Sequence, residues 1–281
     1  KNILSKMKTK IKFLIPVVFI LMVFLSFTFS TKAVNPYQCD TENVSFAGGE
    51  KLVYKLYYNL GLLWIPAGEV TFTVRENKEN YELKAIGKTY KTYESIFKVN
   101  DYFYSKIDKK TLLPQNFVRI VHEGNYTLYD SIRFDQKNNL AFTYHGKSKS
   151  EAKSSVHKFN SCMQDMMSNL YYMRNIDLSE MKKGDKIGTK MFFDKEVFPI
   201  NIGYDGKEVK NIKDLGDFKT LRIVPDVVEG SVFKKGDHMT IWVSDDLNRI
   251  PLLIESPITV GSVKAVLKSH AGLRHKLDAS I

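Results

Sequence analysis

Glu69-Val70-Thr71-Phe72-Thr73-Val74-Arg75, followed after a short polar break by Tyr81-Glu82-Leu83-Lys84-Ala85, places an apolar side chain at every second position. A period of two sends alternate side chains to opposite faces of a strand, so both stretches read as half-buried β-strands. The same alternation recurs at 51–59, 101–107, 115–122, 126–134, 139–145, 186–193, 197–204, 207–213, 217–224, 237–243, 250–255 and 260–269. Many short strands with turn residues between them predict a mainly β fold, with antiparallel curved sheets forming an open barrel or sandwich. The absence of a βαβ pattern excludes dinucleotide-binding and P-loop architectures. Tyr204-Asp205-Gly206-Lys207 reads as a type I′ hairpin, because Asp-Gly supplies the positive φ angles that turn requires. Asp135–Asn139 and Asp245–Arg249 read as longer hairpin connections.

Against this background one short amphipathic helix stands out near 162–174. Ser161 and Gln164 form a capping-box pattern, and Met163, Met166, Met167, Leu170 and Tyr171 fall on one stripe at helical spacing. The helix is expected to plug the sheet, with Asp165 in its first turn. The polar, Lys- and Ser-rich stretch 147–158 is read as a connection between two possible halves, 34–146 and 159–281, of a β-rich exported domain spanning 34–281.

The 281 residues carry a net charge of +11, but the first 33 hold six lysines and no acid, so the remainder is only +5. Lysine is interleaved with acids, as in Lys106-Ile107-Asp108-Lys109-Lys110, which argues against a nucleic-acid partner. Residues 13–29 form an apolar run behind this lysine-rich start and ahead of small residues, the layout of a signal peptide over 1–33 with cleavage after Ser30 or Ala33. A retained membrane anchor is the rival reading, because the run approaches the length needed to span a bilayer. Export gives the two cysteines a meaning: in an oxidising compartment Cys39 and Cys162 are expected to pair.

The chemistry-bearing residues form no recognised constellation. His122, His145, His157, His238, His270 and His275 show no metal or protease spacing, and no Gly-x-Ser-x-Gly elbow occurs, so no metal, no cofactor and no catalytic residue is expected. The unusual feature is Leu60-Gly61-Leu62-Leu63-Trp64-Ile65-Pro66-Ala67-Gly68, where Leu62, Leu63, Trp64 and Ile65 are apolar at an expected strand connection. Exposed, they would form a binding patch for a hydrophobic ligand, a membrane surface or a partner; folded under the sheet, they would be core. Twelve of the fifteen tyrosines fall between Tyr37 and Tyr144, a distribution that suits strand packing or an amphipathic pocket wall.

Four stretches, Phe46–Tyr54, Ala67–Val70, Asp165–Arg174 and Ile241–Leu252, together resemble the exported bacterial domain-of-unknown-function family three-one-zero-eight. That resemblance implies a mostly antiparallel β fold and a place in the periplasm or cell envelope of a Gram-negative bacterium, and brings no activity with it. The function expected is therefore a non-enzymatic envelope protein that binds a hydrophobic small molecule or an envelope protein. An exported hydrolase acting on envelope glycan or lipid, using acids such as Asp165 or Asp245, is the alternative.

Overall fold

The computed structural model describes residues 41–60, 63–95, 98–160, 162–226, 238–257 and 261–281. All of these belong to one compact unit, Ala33–Ile281. The expected signal segment 1–33, Cys39 and Leu62 lie outside the described residues. Among the described residues no helix is long and apolar enough to cross a membrane.

The described residues form a single antiparallel sheet of fourteen strands. In chain order these are β1 (Lys51–Leu60), β2 (Leu63–Glu76), β3 (Asn80–Thr89), β4 (Asn100–Asp108), β5 (Pro114–Glu123), β6 (Tyr126–Asp135), β7 (Leu140–Gly146) and β8 (Lys153–Lys158). After the helix α1 (Met166–Met173) come β9 (Lys186–Phe193), β10 (Glu196–Ile212), β11 (Gly216–Pro225), β12 (Thr240–Ser244), β13 (Pro251–Pro257) and β14 (Ser262–Ala271). Sequential hairpins make two meanders, β1–β8 and β9–β14, and the β1–β14 ladder joins them into the order 8-7-6-5-4-3-2-1-14-13-12-11-10-9. The edges β8 and β9 do not share a ladder, so the sheet is not closed into a barrel. Other contacts reach across that gap: the His157 ring of β8 lies 5.5 Å from the Phe192 ring of β9, and the backbone of Gln164, just before α1, exchanges hydrogen bonds with Lys190 and Phe192.

Three local expectations are corrected. Tyr204–Lys207 is no hairpin: β10 runs through it, and the register with β11 shifts between Tyr204 and Lys207. Gly206, at φ +101°, spends its conformational freedom on a bulge, because the residues on both sides keep pairing with β11. The polar stretch 147–158 is not merely a connection, since Lys153–Lys158 forms the edge strand β8. A strand with a partner on one side only can be polar on both faces, which hides it from a periodicity reading. Finally, α1 begins at Met166, later than the Ser161/Gln164 pattern suggested. Asp165 is the N-cap: its carboxylate accepts from Ser168 N–H at 2.7 Å, while Asp165 N–H donates to Ser168 Oγ at 2.8 Å. Cys162 sits at φ +62°, a left-handed conformation that a helix begun at Ser161 could not include.

The helix lies inside the curl and packs on β3, β4 and β9. Met163, Met167 and Tyr171 face a core built from Phe46, Leu83, Ile107, Phe117, Ile132, Phe134 and Phe192. A second core, around Leu52, Tyr54, Phe218, Trp242, Ile250, Leu252 and Leu267, fills the seam where β1 meets β14.

Candidate functional site

The other side of α1 borders a cavity. Met166 and Leu170, which also touch the first core, and Met173 face the inner surfaces of β9–β13 across a space of about 330 Å3. Alternation builds its wall: Ile187 and Met191 on β9, Ile200, Ile202 and Tyr204 on β10, Ile223 on β11, and Ile241 and Val243 on β12 all point inward. Ladder pairing places Ile187 opposite Ile202, and Tyr204 in line with Ile223 and Ile241. Leu178 and Met181, in the segment after the helix, complete the roof. Met166, Met173, Met181, Met191 and Met239, five of the nine methionines in the chain, line this space. Unbranched thioether side chains re-pack readily around differently shaped apolar guests. The volume lies within the range of small-molecule sites, roughly 300–1,000 Å3.

Polar groups at the cavity are few and held at fixed points. Arg174, at the end of α1, is buried and forms a bidentate ion pair with buried Glu50, Nη1 to Oε1 at 2.6 Å and Nη2 to Oε2 at 2.8 Å. Its Nε donates to the Asn248 carbonyl at 3.0 Å and Nη2 also reaches the Ser45 carbonyl at 3.3 Å. Opposing Glu50 holds the guanidinium charge against a large desolvation cost, and its pKa is raised above the ordinary arginine value. Asn248 in turn belongs to the Asp245–Arg249 connection, where Asp246 Oδ1 accepts from Ser244 Oγ and from the N–H groups of Asn248 and Arg249. That turn delivers Arg249, at φ +45°, into the cavity wall. Asp226, at the other end of the cavity, binds the Asn201 side-chain amide at 2.8 Å.

Three of the four stretches behind the family resemblance thus meet at one place: Glu50 comes from the first, Arg174 from the third and Asn248 from the fourth. The second supplies Gly68 on β2, where any Cβ would collide with the Lys88 carbonyl of β3.

The sequence-derived binding residues lie elsewhere. Leu63, Trp64 and Ile65 open β2 beside β1, with Leu63 69% and Trp64 39% exposed. Lys264 Nζ sits 4.4 Å from the Trp64 ring centre, and Trp64, Tyr57, Lys213 and Lys264 border a shallow depression of about 220 Å3. None of these residues lines the methionine-walled cavity.

The acids offered for hydrolysis serve other ends. Asp165 caps the helix and accepts from Ser105 Oγ at 2.5 Å; burial raises its pKa to about 6. Asp245 pairs with Lys207 at 2.9 Å. Neither lines the cavity. Sequence reasoning missed two other groupings. Asp101 and Glu123 share a side-chain hydrogen bond, and burial holds the pKa of each above the ordinary carboxylate value. Asp130 and His145, partners across β6–β7, meet Asp194 from the β9–β10 turn within 4.8 Å. Arg119 already neutralises that second group, pairing with Asp130 at 3.3 Å and with Asp194, and its guanidinium stacks 4.3 Å from the Phe193 ring. A cation in the middle of such a set disfavours a metal ion there.

Comparison with known proteins agrees with this picture at the level of fold and family. The model of a family described as "Protein of unknown function (DUF3108)" matches residues 53–268. The chain is similar to a crystal structure of a β-barrel-like protein of the domain of unknown function DUF1849 from Brucella abortus, with 10% identity, TM-score 0.55, and 82% of this chain and 99% of that one covered. It also matches a candidate lipoprotein from Parabacteroides distasonis, with 11% identity, TM-score 0.29 and coverage of 84% and 100%. A candidate exported protein with a YmcC-like fold from Bacteroides fragilis matches with 10% identity, TM-score 0.30 and coverage of 82% and 99%. No curated protein matches.

Proposed function

We propose, from the premise that the chain belongs to the DUF3108 family, that it is a non-enzymatic protein of the bacterial envelope that takes the apolar chain of a small molecule into the cavity under α1. The observation that carries this reading is the wall itself: about 330 Å3 bounded by isoleucines and five methionines, with its charged groups at the ends. A hydrolase needs ionisable groups converging on a cleft, whereas a carrier needs an apolar cavity with few charges. The lysine-rich start and apolar run of residues 1–33 support export into the periplasm or envelope.

The test is uptake of N-phenyl-1-naphthylamine, whose fluorescence rises in an apolar site, by wild type and by Ile241→Trp. The larger ring fills the central row of the cavity. Ile241→Trp is expected to abolish uptake with the melting midpoint unchanged or raised. Undiminished uptake by the folded variant overturns the reading.

A second reading concerns contact with a membrane surface and rests on exposed Leu63 and Trp64 beside Lys213 and Lys264. Apolar and aromatic side chains rimmed by lysine suit an anionic bilayer interface. Trp64→Ala is expected to cost about 1–2 kcal/mol, below the 3–5 kcal/mol of a core aromatic, while weakening sedimentation with phosphatidylglycerol-containing vesicles. Unaltered vesicle binding refutes the contact.

A further inference from the structure

The cavity carries its charge unevenly, and Arg249 is the informative group. β12 and β13 pair Val243 with Pro251 at the Arg249 end, whereas Pro225, Met239 and Asp226 mark the opposite end. Of the charged residues at the cavity, Arg174 is fully engaged by Glu50, and Asp226 is exposed and held by Asn201. Arg249 differs. Its side chain is only 18% exposed, and its ion-pair contact is a long one, 3.8 Å from Nη2 to Asp177, a carboxylate that is itself 75% exposed. Nη1 donates to the Ile176 carbonyl, which fixes the guanidinium plane without supplying a countercharge. Asp245 and Asp246 act on it from further away, and burial against the apolar wall holds its pKa below the ordinary arginine value.

The chain also keeps Arg249 in a costly backbone conformation. A non-glycine residue at φ +45° is strained, and here Asp246 Oδ1 and the buried Asn248 over-determine it. Asn248 is clamped by Arg174 on its carbonyl and by the His275 N–H and the His275 and Lys276 carbonyls on its amide. The turn is thus built to present a guanidinium at the mouth of an apolar space.

We propose that the occupant of the cavity is an anionic amphiphile, a carboxylate or phosphate head on an apolar tail, with Arg249 receiving the head. This rests on the cavity reading above. A guanidinium offers two parallel N–H donors to either kind of oxyanion, and a charge-assisted pair in a partly dry site favours the anion over a neutral head by roughly tenfold or more.

The experiment is displacement of N-phenyl-1-naphthylamine by tetradecanoic acid, tetradecyl phosphate and tetradecan-1-ol, each below its micelle concentration, at neutral pH. Wild type is expected to bind the acid, the phosphate or both about tenfold more tightly than the alcohol; the stronger of the two identifies the head. Arg249→Gln should erase that preference and Arg249→Lys should retain most of it. Equal binding of all three by wild type, or a preference that survives in Arg249→Gln, overturns the head-group assignment while leaving the cavity reading standing. Failure of wild type to bind any of the three, dye included, removes the cavity reading and this inference with it. The wild-type comparison needs no variant, so it decides even if Arg249→Gln fails to fold.

Discussion

Replacing Glu50 with Gln probes the junction on which the site depends. Glu50 is 1% exposed and Arg174 4%, and together they share two short hydrogen bonds. Gln keeps the size and one acceptor but removes the charge, leaving a guanidinium enclosed by Phe46, Tyr171 and Tyr54 with no countercharge. Breaking a buried pair on one side costs about 3–5 kcal/mol, which for a domain of this size lowers the melting midpoint by roughly 6–20 °C. Arg174→Met removes the stranded charge but forfeits the bonds to the Asn248 and Ser45 carbonyls. The double variant should therefore be more stable than the sum of the single losses predicts, with a coupling of at least about 2 kcal/mol. Urea unfolding followed by tryptophan fluorescence supplies all four corners of the cycle. A loss below about 1 kcal/mol for Glu50→Gln, or additive single losses, would refute the reasoning, because either result means that water reaches the pair and screens it.

Asp165→Asn should keep the helix cap and change the pH dependence. With its pKa raised by burial from 3.8 to about 6, Asp165 binds a proton in the folded state that the unfolded chain has released, so wild type loses stability as pH rises through about 4 to 6. The stability of wild type relative to Asp165→Asn should fall by about 2–2.5 kcal/mol between pH 4 and pH 7, and a difference that does not move with pH contradicts this. The Cys39–Cys162 pairing predicts that neither thiol reacts with maleimide until reductant is added, and that reduction costs up to about 5 kcal/mol of stability because the closed loop is long; quantitative labelling without reductant rules the bond out.

The strand framework was legible because its inner face is apolar almost throughout, so that period two survives from Leu52 to Leu267. Where the inner face carries a charge the reading was blind. Arg119, Asp130 and His145 stand side by side on β5, β6 and β7, and each looks in sequence like an outward-facing residue of its strand. Glu50 and Arg174 are 124 residues apart, and nothing in either neighbourhood announces the other. The stripe Met163, Met166, Met167, Leu170 and Tyr171 reads as core packing, and Met163, Met167 and Tyr171 are buried in the first core with Met166 and Leu170 packed against it. That Met166 and Leu170 also border a cavity, together with Met173 from outside the stripe, is not visible in the spacing. Periodicity identifies which side chains face inward; whether the opposite surface reaches them depends on the curvature of a sheet whose strands are more than a hundred residues apart.

That curvature explains why one side of the helix is filled to the sheet while the other borders a cavity. On its packed side α1 meets Phe117 of β5, Phe134 of β6, Phe192 of β9 and Phe46 from the segment before β1, rings large enough to fill the space to the sheet. On the β9–β13 side it meets Ile200, Ile202, Ile223, Ile241 and Val243, whose branched side chains stop short. Eight residues make a helix of only about 12 Å, too short to cover five strands. An apolar space of about 330 Å3 left to water forgoes stabilisation of several kcal/mol. A chain under selection for stability alone recovers that energy through one or two larger side chains, a far smaller change than building the clamp of Glu50, Arg174 and Asn248 beside the opening. On the proposed reading, energy left ungained along this side of α1 becomes available on binding an apolar tail, which couples occupancy to stability through mass action.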